Sequence, residues 1–381
     1  VPDANDHEAT PKPHGEIKRA PEDFRVDELP LYEPSGKGDH LYIRFRKRLL
    51  TTDEAARAIG RALDVPPRDI GVAGLKDKVA VTTQTISLPV PRGESGEAFA
   101  ARAGALALSG IEVLDARLHG NKLKTGHLAG NAFSIVVRGV PNGAVEPALE
   151  ALARIAREGV PNHFGAQRFG ARGDNAERAR AWLSGKERGP RDARAKRFLW
   201  SSLQSAMFNA VLDARVNDGT WNVPLAGDVL KRRDSGGLFL CTDEPLDRER
   251  ALRGEVVPTG PLFGVKMKCP EGAPAALERS VLHDFLGNDV DLAQTRPFGE
   301  GARRALCLWV DGLTAERELA NSTGGDPGSA RPDAALGASI RVRFVLPKGA
   351  YATTVLGTVF ALAETRTPDE ASFGIDGPEG A

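Results

Sequence analysis

The 381-residue chain carries 41% hydrophobic side chains, enough to bury a sizeable core and to form two domains. Its 51 Lys and Arg balance 51 Asp and Glu, so the formal net charge is zero, which argues against a general nucleic-acid coat protein and turns attention to where charge clusters. Three cysteines without a CxxC pair, seven histidines without ligand spacing and the lack of any apolar run of spanning length exclude a disulfide framework, a structural zinc and a membrane-crossing helix.

The start, Val1 to Arg19, is polar with no apolar core of a secretory signal, and reads as the frayed beginning of a cytoplasmic protein. Phe24, Val26 and Glu28 alternate with Asp23, Arg25 and Asp27, and Leu41, Ile43 and Phe45 alternate with Tyr42, Arg44 and Arg46, so both segments are expected to be half-buried strands. The second would leave Tyr42, Arg44 and Arg46 on its outer face, an arrangement suited to solvent or to phosphates and bases. Thr51 to Leu63 follows as a helix: Thr51 with Glu54 matches a capping box, Ala55, Ile59, Ala62 and Leu63 form an apolar stripe, and Pro66-Pro67 stops it.

Between a short apolar run at Asp69 to Ala73 and the strand-favouring Val79 to Leu88 lies Gly74-Leu75-Lys76-Asp77-Lys78. This reads as a tight turn, with Gly74 free to take a positive φ and Asp77 held at a strand-turn-strand corner between two ammonium groups. The flanking lysines would favour the charged carboxylate, which suits nucleophilic attack or proton abstraction and not acid catalysis. A solvated charge cluster on a turn is the alternative. Further along, Gly130 to Arg138 is expected as a strand with Phe133, Ile135 and Val137 on one face, Val145 to Glu158 as a helix ended by Gly159 and Pro161, Arg172 to Ser184 as a helix with Asp174 and Glu177 as a capping pair, and Phe198 to Leu212 as another.

A glycine- and charge-rich region runs to about Gly301, Asn321 to Gly337 reads as a flexible loop, and Ile340 to Leu346 alternates again before Pro347-Lys348-Gly349 turns the chain into a helix near Thr353 to Phe360. The return of the early strand pattern suggests a discontinuous domain with a helical insertion. Basic residues cluster at Arg44 to Arg48, His119 to Lys124 and Lys186 to Arg197, where they could neutralise phosphates of a folded RNA or simply face solvent. There is no internal repeat.

Five segments in order, Pro21-Glu22-Asp23-Phe24-Arg25-Val26, Gly74 to Gln84, Gly130-Asn131-Ala132-Phe133, Pro161 to Gly170 (PNHFGAQRFG) and Leu346 to Val355 (LPKGAYATTV), together resemble the TruD family of tRNA pseudouridine synthases. The likeness runs from about Glu16 to about Leu356. It departs from the pattern after Val355, where Leu356-Gly357-Thr358 stands in place of an Arg-Glu pair.

The resemblance implies an α+β fold: a pseudouridine synthase catalytic core with a mixed antiparallel sheet and flanking helices, residues 1–164 and 301–381, interrupted by an inserted α/β TRUD domain over residues 165–300. It implies an isomerase that detaches uracil from ribose C1′, turns it and reattaches it through C5, without metal or organic cofactor, usually at position 13 of tRNA. The family's catalytic aspartate falls on Asp77, and its substrate-binding positions on Phe24, Asn131 and Tyr351. Phe133 occupies the place of an aromatic near the base, and Lys76 is a further candidate for substrate contact. His163 is expected to be structural. The partner would be tRNA, with no membrane and no metal involved, and a monomer is expected. A non-catalytic tRNA-binding or folding factor on the same scaffold is the alternative; a glycoside hydrolase would need a second, opposed carboxylate that no motif supplies.

Overall fold

In a computed structural model of the chain, the described residues are 11–170, 172–287, 291–318 and 337–364. They belong to two compact units, one made of Val1–Ala156 with Val310–Ala381 and one of Arg157–Trp309. The loop expected at Asn321 to Gly337 lies, except for Gly337, outside the described residues. Among the described residues, no helix is long and apolar enough to cross a membrane.

The chain begins with β1 (His14–Ile17), β2 (Phe24–Pro30), β3 (His40–Arg48), α1 (Thr52–Ala62), β4 (Gly71–Val72), β5 (Val81–Pro89), α2 (Gly96–Gly104), β6 (Ile111–His119), β7 (Leu128–Val140) and α3 (Val145–Glu158). The second unit holds β8 (Val160–Pro161), α4 (Asn175–Leu183), α5 (Ala193–Asn217), β9 (Val229–Arg232), β10 (Leu238–Leu240), α6 (Glu244–Leu252), β11 (Val256–Leu262), α7 (Gly272–Leu286), β12 (Ala302–Ala305) and β13 (Cys307–Leu308). The chain then returns to the first unit with β14 (Asp311–Glu318), β15 (Ala338–Pro347), α8 (Ala352–Leu356) and β16 (Ala361–Glu364).

The first unit is built on a 10-stranded sheet with the main order β14-β15-β7-β2-β5-β3-β6, β1 joining β7 to β16 and β4 pairing β5. It is a mixed sheet: β2 runs parallel to β5 and β1 to β16, while the remaining pairs are antiparallel. The alternating segments near Phe24, Leu41, Phe133 and Ile340 all become strands of this sheet. Helix α1 forms as its cap predicts, with the Thr51 hydroxyl accepting from the Glu54 amide at 3.1 Å and Glu54 accepting from the Thr51 amide at 2.6 Å. Its Ala55, Ala56 and Ile59 pack with Leu63 on Leu41, Ile43, Phe45, Ile86, Leu88 and Phe99 of the sheet and α2.

Four expectations need correction. The start is not wholly frayed, since His14–Ile17 pairs with Ala361–Glu364 and Ile17 is fully buried. The strand expected from Val79 begins at Val81, because Ala80 turns back to donate to the Lys78 carbonyl at 2.9 Å. The helix expected to reach Phe360 is regular only over Ala352–Leu356 before Gly357. Tyr42 lies on the same face as Arg44, as expected, but is buried against Tyr32, Ala73, Leu123 and Leu128 and is not open to solvent.

In the second unit, α5 extends from Ala193, where Asp192 accepts from the Ala195 amide at 2.7 Å, well before the expected start at Phe198. Leu199, Trp200, Leu203, Met207 and Val211 of this helix form a core with Ala179, Phe263, Val281 and Leu286. The region read only as glycine- and charge-rich holds a sheet ordered β10-β9-β11-β12, with α6 and α7 alongside in sequence. The Pro161 to Gly170 motif packs on α5: the Phe164 amide donates to Asn209 at 2.9 Å, Asn209 returns a bond to the Phe164 carbonyl at 3.0 Å, and His163 meets Asp213 at 2.8 Å. Arg304 lies 4.0 Å from the Phe164 ring centroid.

Among the described residues of this unit, Arg215 with Asp228 at 2.9 Å and Arg303 with Glu278 at 2.8 Å are buried ion pairs. Burial pushes the Glu278 carboxyl up, and the Arg303 guanidinium opposes that shift. Replacing Glu278 with Ala strands the guanidinium, so Glu278→Ala is expected to destabilise the unit by roughly 3–5 kcal/mol. Urea unfolding followed by tryptophan fluorescence reads the change, Trp200 lying in the neighbouring core; a loss under about 1 kcal/mol would contradict the assigned role of the pair.

Candidate active site

One edge of β5 is shared by two strands. β2 pairs with Val81, Thr82 and Thr83, and β4 pairs with Ile86 and Ser87, while β3 covers the other edge. The chain leaving β4 must therefore travel back to the start of β5, and that return segment is Ala73 to Ala80.

Its backbone is anchored from below. The Lys76 amide donates to the Thr52 hydroxyl at 2.8 Å, and that hydroxyl donates to Gln84 Oε1 at 3.1 Å. Lys76 Nζ meets Glu28 Oε2 at 2.6 Å, both side chains being buried, and the other Glu28 oxygen accepts from the Thr85 amide at 3.2 Å. Lys47 Nζ donates to the Asp77 carbonyl at 2.7 Å and to the Leu50 carbonyl at 2.5 Å. The Asp77 side chain, in contrast, is 57% exposed and meets Lys18 Nζ at 3.0 Å.

The flanking lysines are thus not the counterions of Asp77. Lys76 points inward to Glu28, and Lys78 lies 3.9 Å from Glu54. The cation beside the carboxylate is Lys18, which follows β1 with a left-handed φ of 61° and also sits 4.8 Å from the Phe24 ring centroid. Gly74 does not take the left-handed conformation expected of it, and a Cβ there would only touch Lys76 Nζ at 3.4 Å. Residue 74 leaves room above the loop without being sterically required.

Cross-strand register sets the wall beside this loop, because directly opposed residues share a face. Glu28 is opposite Asn131, which is opposite Leu346; Val26 is opposite Phe133, which is opposite Phe344. The Phe133 ring stacks on Phe344 at 5.3 Å, and Phe24 approaches it edge-on at 6.3 Å. Phe24 is buried, Phe133 only half-buried. Asn131 stands within β7, and its Oδ1 is buried without a donor among the described residues. A buried carbonyl oxygen left this way is an acceptor in want of a partner. Gly130 allows the close approach of β15, since a Cβ there would run into the Leu346 carbonyl.

Lys18 therefore links Asp77 to Phe24, and the Lys76–Glu28 pair links the loop to the row holding Asn131. Tyr351 is apart from these contacts: it is 65% exposed, immediately precedes α8 and makes no ring contact among the described residues. Sequence reading missed Lys18, Lys47, Glu28 and Thr52. Lys18 sat in a stretch read as frayed, and its only local signal was the apolar Ile17 before it. Among the described residues, no group of three His, Cys, Asp or Glu is placed to hold a metal.

The basic clusters are partly neutralised. Arg46 pairs with Glu112 and Arg48 with Glu22, both at 2.7 Å. Arg44 and Arg117 line a cavity of about 390 Å³ with Tyr32, Tyr42 and His127.

A family model for tRNA pseudouridine synthase D (TruD) matches residues 7–187 and 192–359. A protein of Anaeromyxobacter sp. strain Fw109-5 named tRNA pseudouridine synthase D is 43% identical over 362 residues, covering 93% of this chain and 95% of the relative. A protein of the same name from Thermus thermophilus is 39% identical over 346 residues, covering 91% and 88%. The solved structure of a tRNA pseudouridine synthase D from Methanosarcina mazei shares the fold, with a TM-score of 0.71, 24% identity and coverage of 92% and 94%.

The two glycines separate conformational freedom from close packing. Gly74→Ala is expected to leave stability unchanged or raise it by up to about 1 kcal/mol, whereas Gly130→Ala should cost roughly 1–3 kcal/mol by forcing β7 from β15. Parallel thermal melts check the pair, and equal effects at both positions would contradict this account of the loop.

Proposed function

Because the chain belongs to the tRNA pseudouridine synthase D (TruD) family, we propose that it converts uridine to pseudouridine at position 13 of tRNA, with the Asp77 carboxylate acting on the ribose. The observation that carries the assignment is the contrast within one residue: the Asp77 backbone is tied down at its carbonyl while its carboxylate stands in solvent with one ammonium 3.0 Å away. A carboxylate held in that way is accessible and fixed in direction, as a nucleophile or base must be.

A uridine stacked in tRNA cannot present C1′ and C5 to the same carboxylate, so the nucleotide is flipped out, at a cost of a few kcal/mol. Contacts with the half-buried Phe133 and with the exposed Tyr351 would offset part of that, each worth about 1–3 kcal/mol where stacking is complete. Phe24, buried behind Phe133, supports the ring from the side. The unpartnered Asn131 Oδ1 would accept from the uracil N3–H or from a ribose hydroxyl, which makes it the side chain that reads or orients the substrate.

Asp77 then acts in one of two ways. In the first, its oxygen attacks C1′, the N1–C1′ bond breaks with its electron pair leaving on uracil, and the turned base returns through C5 to displace the carboxylate. In the second, Asp77 removes the ribose C2′ proton as the same bond breaks, giving a glycal; C5 then adds at C1′ while the proton returns to C2′. Both end with loss of the C5 proton, and both need Asp77 charged and unblocked. Lys18 offsets the carboxylate charge without burying it. Lys76, committed to Glu28, acts on this reading through the loop and not on a phosphate. The enzyme would work as a cytoplasmic monomer, needing tRNA alone.

Incubation with unmodified tRNA transcripts and pseudouridine mapping at single-nucleotide resolution tests the assignment. The wild type is expected to modify position 13; Asp77→Asn should fall to background while binding tRNA within about twofold. Lys18→Met should lower the single-turnover rate on the order of 10²-fold, the scale of losing one charge that stabilises a reacting group. Full activity of Asp77→Asn would remove the catalytic assignment, and modification only elsewhere would remove the position.

A further inference from the structure

Lys47 is the charged side chain that the reaction scheme leaves without a task. It is 1% exposed, on a strand whose neighbouring Arg46 and Arg48 both reach solvent and carboxylates. Register places it opposite Thr82, on the face that also carries Val26 and Phe133. No carboxylate lies within ion-pair distance of its ammonium among the described residues. Its two acceptors are instead main-chain carbonyls from separate segments: Leu50, just beyond β3, and Asp77.

An ammonium buried without a counterion is unfavourable, and a chain needing only apolar filling at this place would be better served by methionine. What the ammonium alone supplies is several donors at the end of a long stem. Those donors satisfy two main-chain carbonyls for which no backbone amide partner is found among the described residues, and one of them belongs to the residue carrying the reactive carboxylate. We propose that Lys47 is a positioning residue of the reaction: it rises from the sheet beneath the loop, grips the Asp77 carbonyl and fixes the direction in which the Asp77 carboxylate leaves the loop. This rests on the assignment of the reaction to Asp77.

The charge matters because a bond donated by an ammonium is roughly twice as strong as one from a neutral amine. Burial pushes Lys47 down to about 8; the charge of Asp77 opposes this, Lys76 adds to it and Glu54 opposes it. These are the titratable groups facing it, two on the loop and one on α1. The grip is therefore full below pH 8 and weakens as pH rises through that value. Stability moves the other way. Between about 8 and the ordinary 10.5, the unfolded chain holds more protons at this lysine than the folded chain does, so its contribution to stability grows with pH. Loss of rate by this route is not loss of fold.

The experiment is single-turnover pseudouridine formation on a tRNA transcript from pH 6.5 to 9.5, with tRNA affinity and melting temperature measured at each pH, for wild type, Lys47→Arg, Lys47→Met and Asp77→Asn. Wild type should lose about three- to tenfold in rate above pH 8 with affinity within twofold and no matching fall in melting temperature. Lys47→Arg, which stays charged throughout, should lack that alkaline fall. Lys47→Met should be slower by about 10- to 100-fold at every pH, again with affinity retained. If Lys47→Met does not fold, the comparison of wild type with Lys47→Arg decides. The proposal is overturned if Lys47→Arg keeps the wild-type alkaline fall, if the wild type shows none, or if folded Lys47→Met turns over at the wild-type rate. An inactive Asp77→Asn beside such a result sinks only the positioning role; an active one sinks the reading of Asp77 itself.

Discussion

The sharing of one β5 edge between β2 and β4 is the constraint from which the candidate site follows. Because both strands claim that edge, the connecting loop cannot continue in the plane of the sheet and must pass over it. A loop laid on a sheet loses backbone partners that a strand would have, and its polar groups must find others. Here Thr52 and Lys47 serve the backbone of the loop, and Glu28 holds the Lys76 ammonium. The same crossing lifts the next side chain, Asp77, into solvent beside Lys18. Anchoring and exposure are two sides of one topological fact.

The buried polar groups under the loop have a common logic. Lys76 with Glu28, Thr52 with Gln84 Oε1, and Lys47 with two carbonyls are each satisfied, whereas Thr82 Oγ1, Gln84 Nε2 and Asn131 Oδ1 on the same face are buried and lack partners among the described residues. Fully satisfied groups make a rigid floor. Unsatisfied ones are tolerated where something other than the protein completes them, and Asn131 is the one beside the aromatic cluster.

Local signals recovered the frame well where the physics is local. Strict alternation found the strands around Phe24, Leu41, Phe133 and Ile340, and the Thr51–Glu54 capping box found the start of α1 to the residue. Alternation could not find β11, whose Val-Val-Pro-Thr-Gly-Pro-Leu run contains two prolines and a glycine that ordinarily speak against a strand. Asp77 was visible because its motif is contiguous. Lys18 and Lys47 were not, because what makes each of them matter is a partner brought near only by the sheet, and neither periodicity nor composition records that. Gly74 misled for the opposite reason: glycine permits a left-handed turn but does not demand one, and the loop's direction is set by its anchors.

The pairing of β7 with β15 also has a consequence for synthesis. Phe133 and Asn131 acquire their neighbours Phe344 and Leu346 across roughly 200 intervening residues, which a ribosome adds in about 10–40 s at 5–20 residues per second. Through that interval β7 has one bare hydrogen-bonding edge, although β2 is already available for the other. Arg157–Trp309, a compact unit in its own right, can collapse meanwhile. The row through Asn131 and Phe133 is therefore completed only when β15 emerges, long after the segment that carries Asp77.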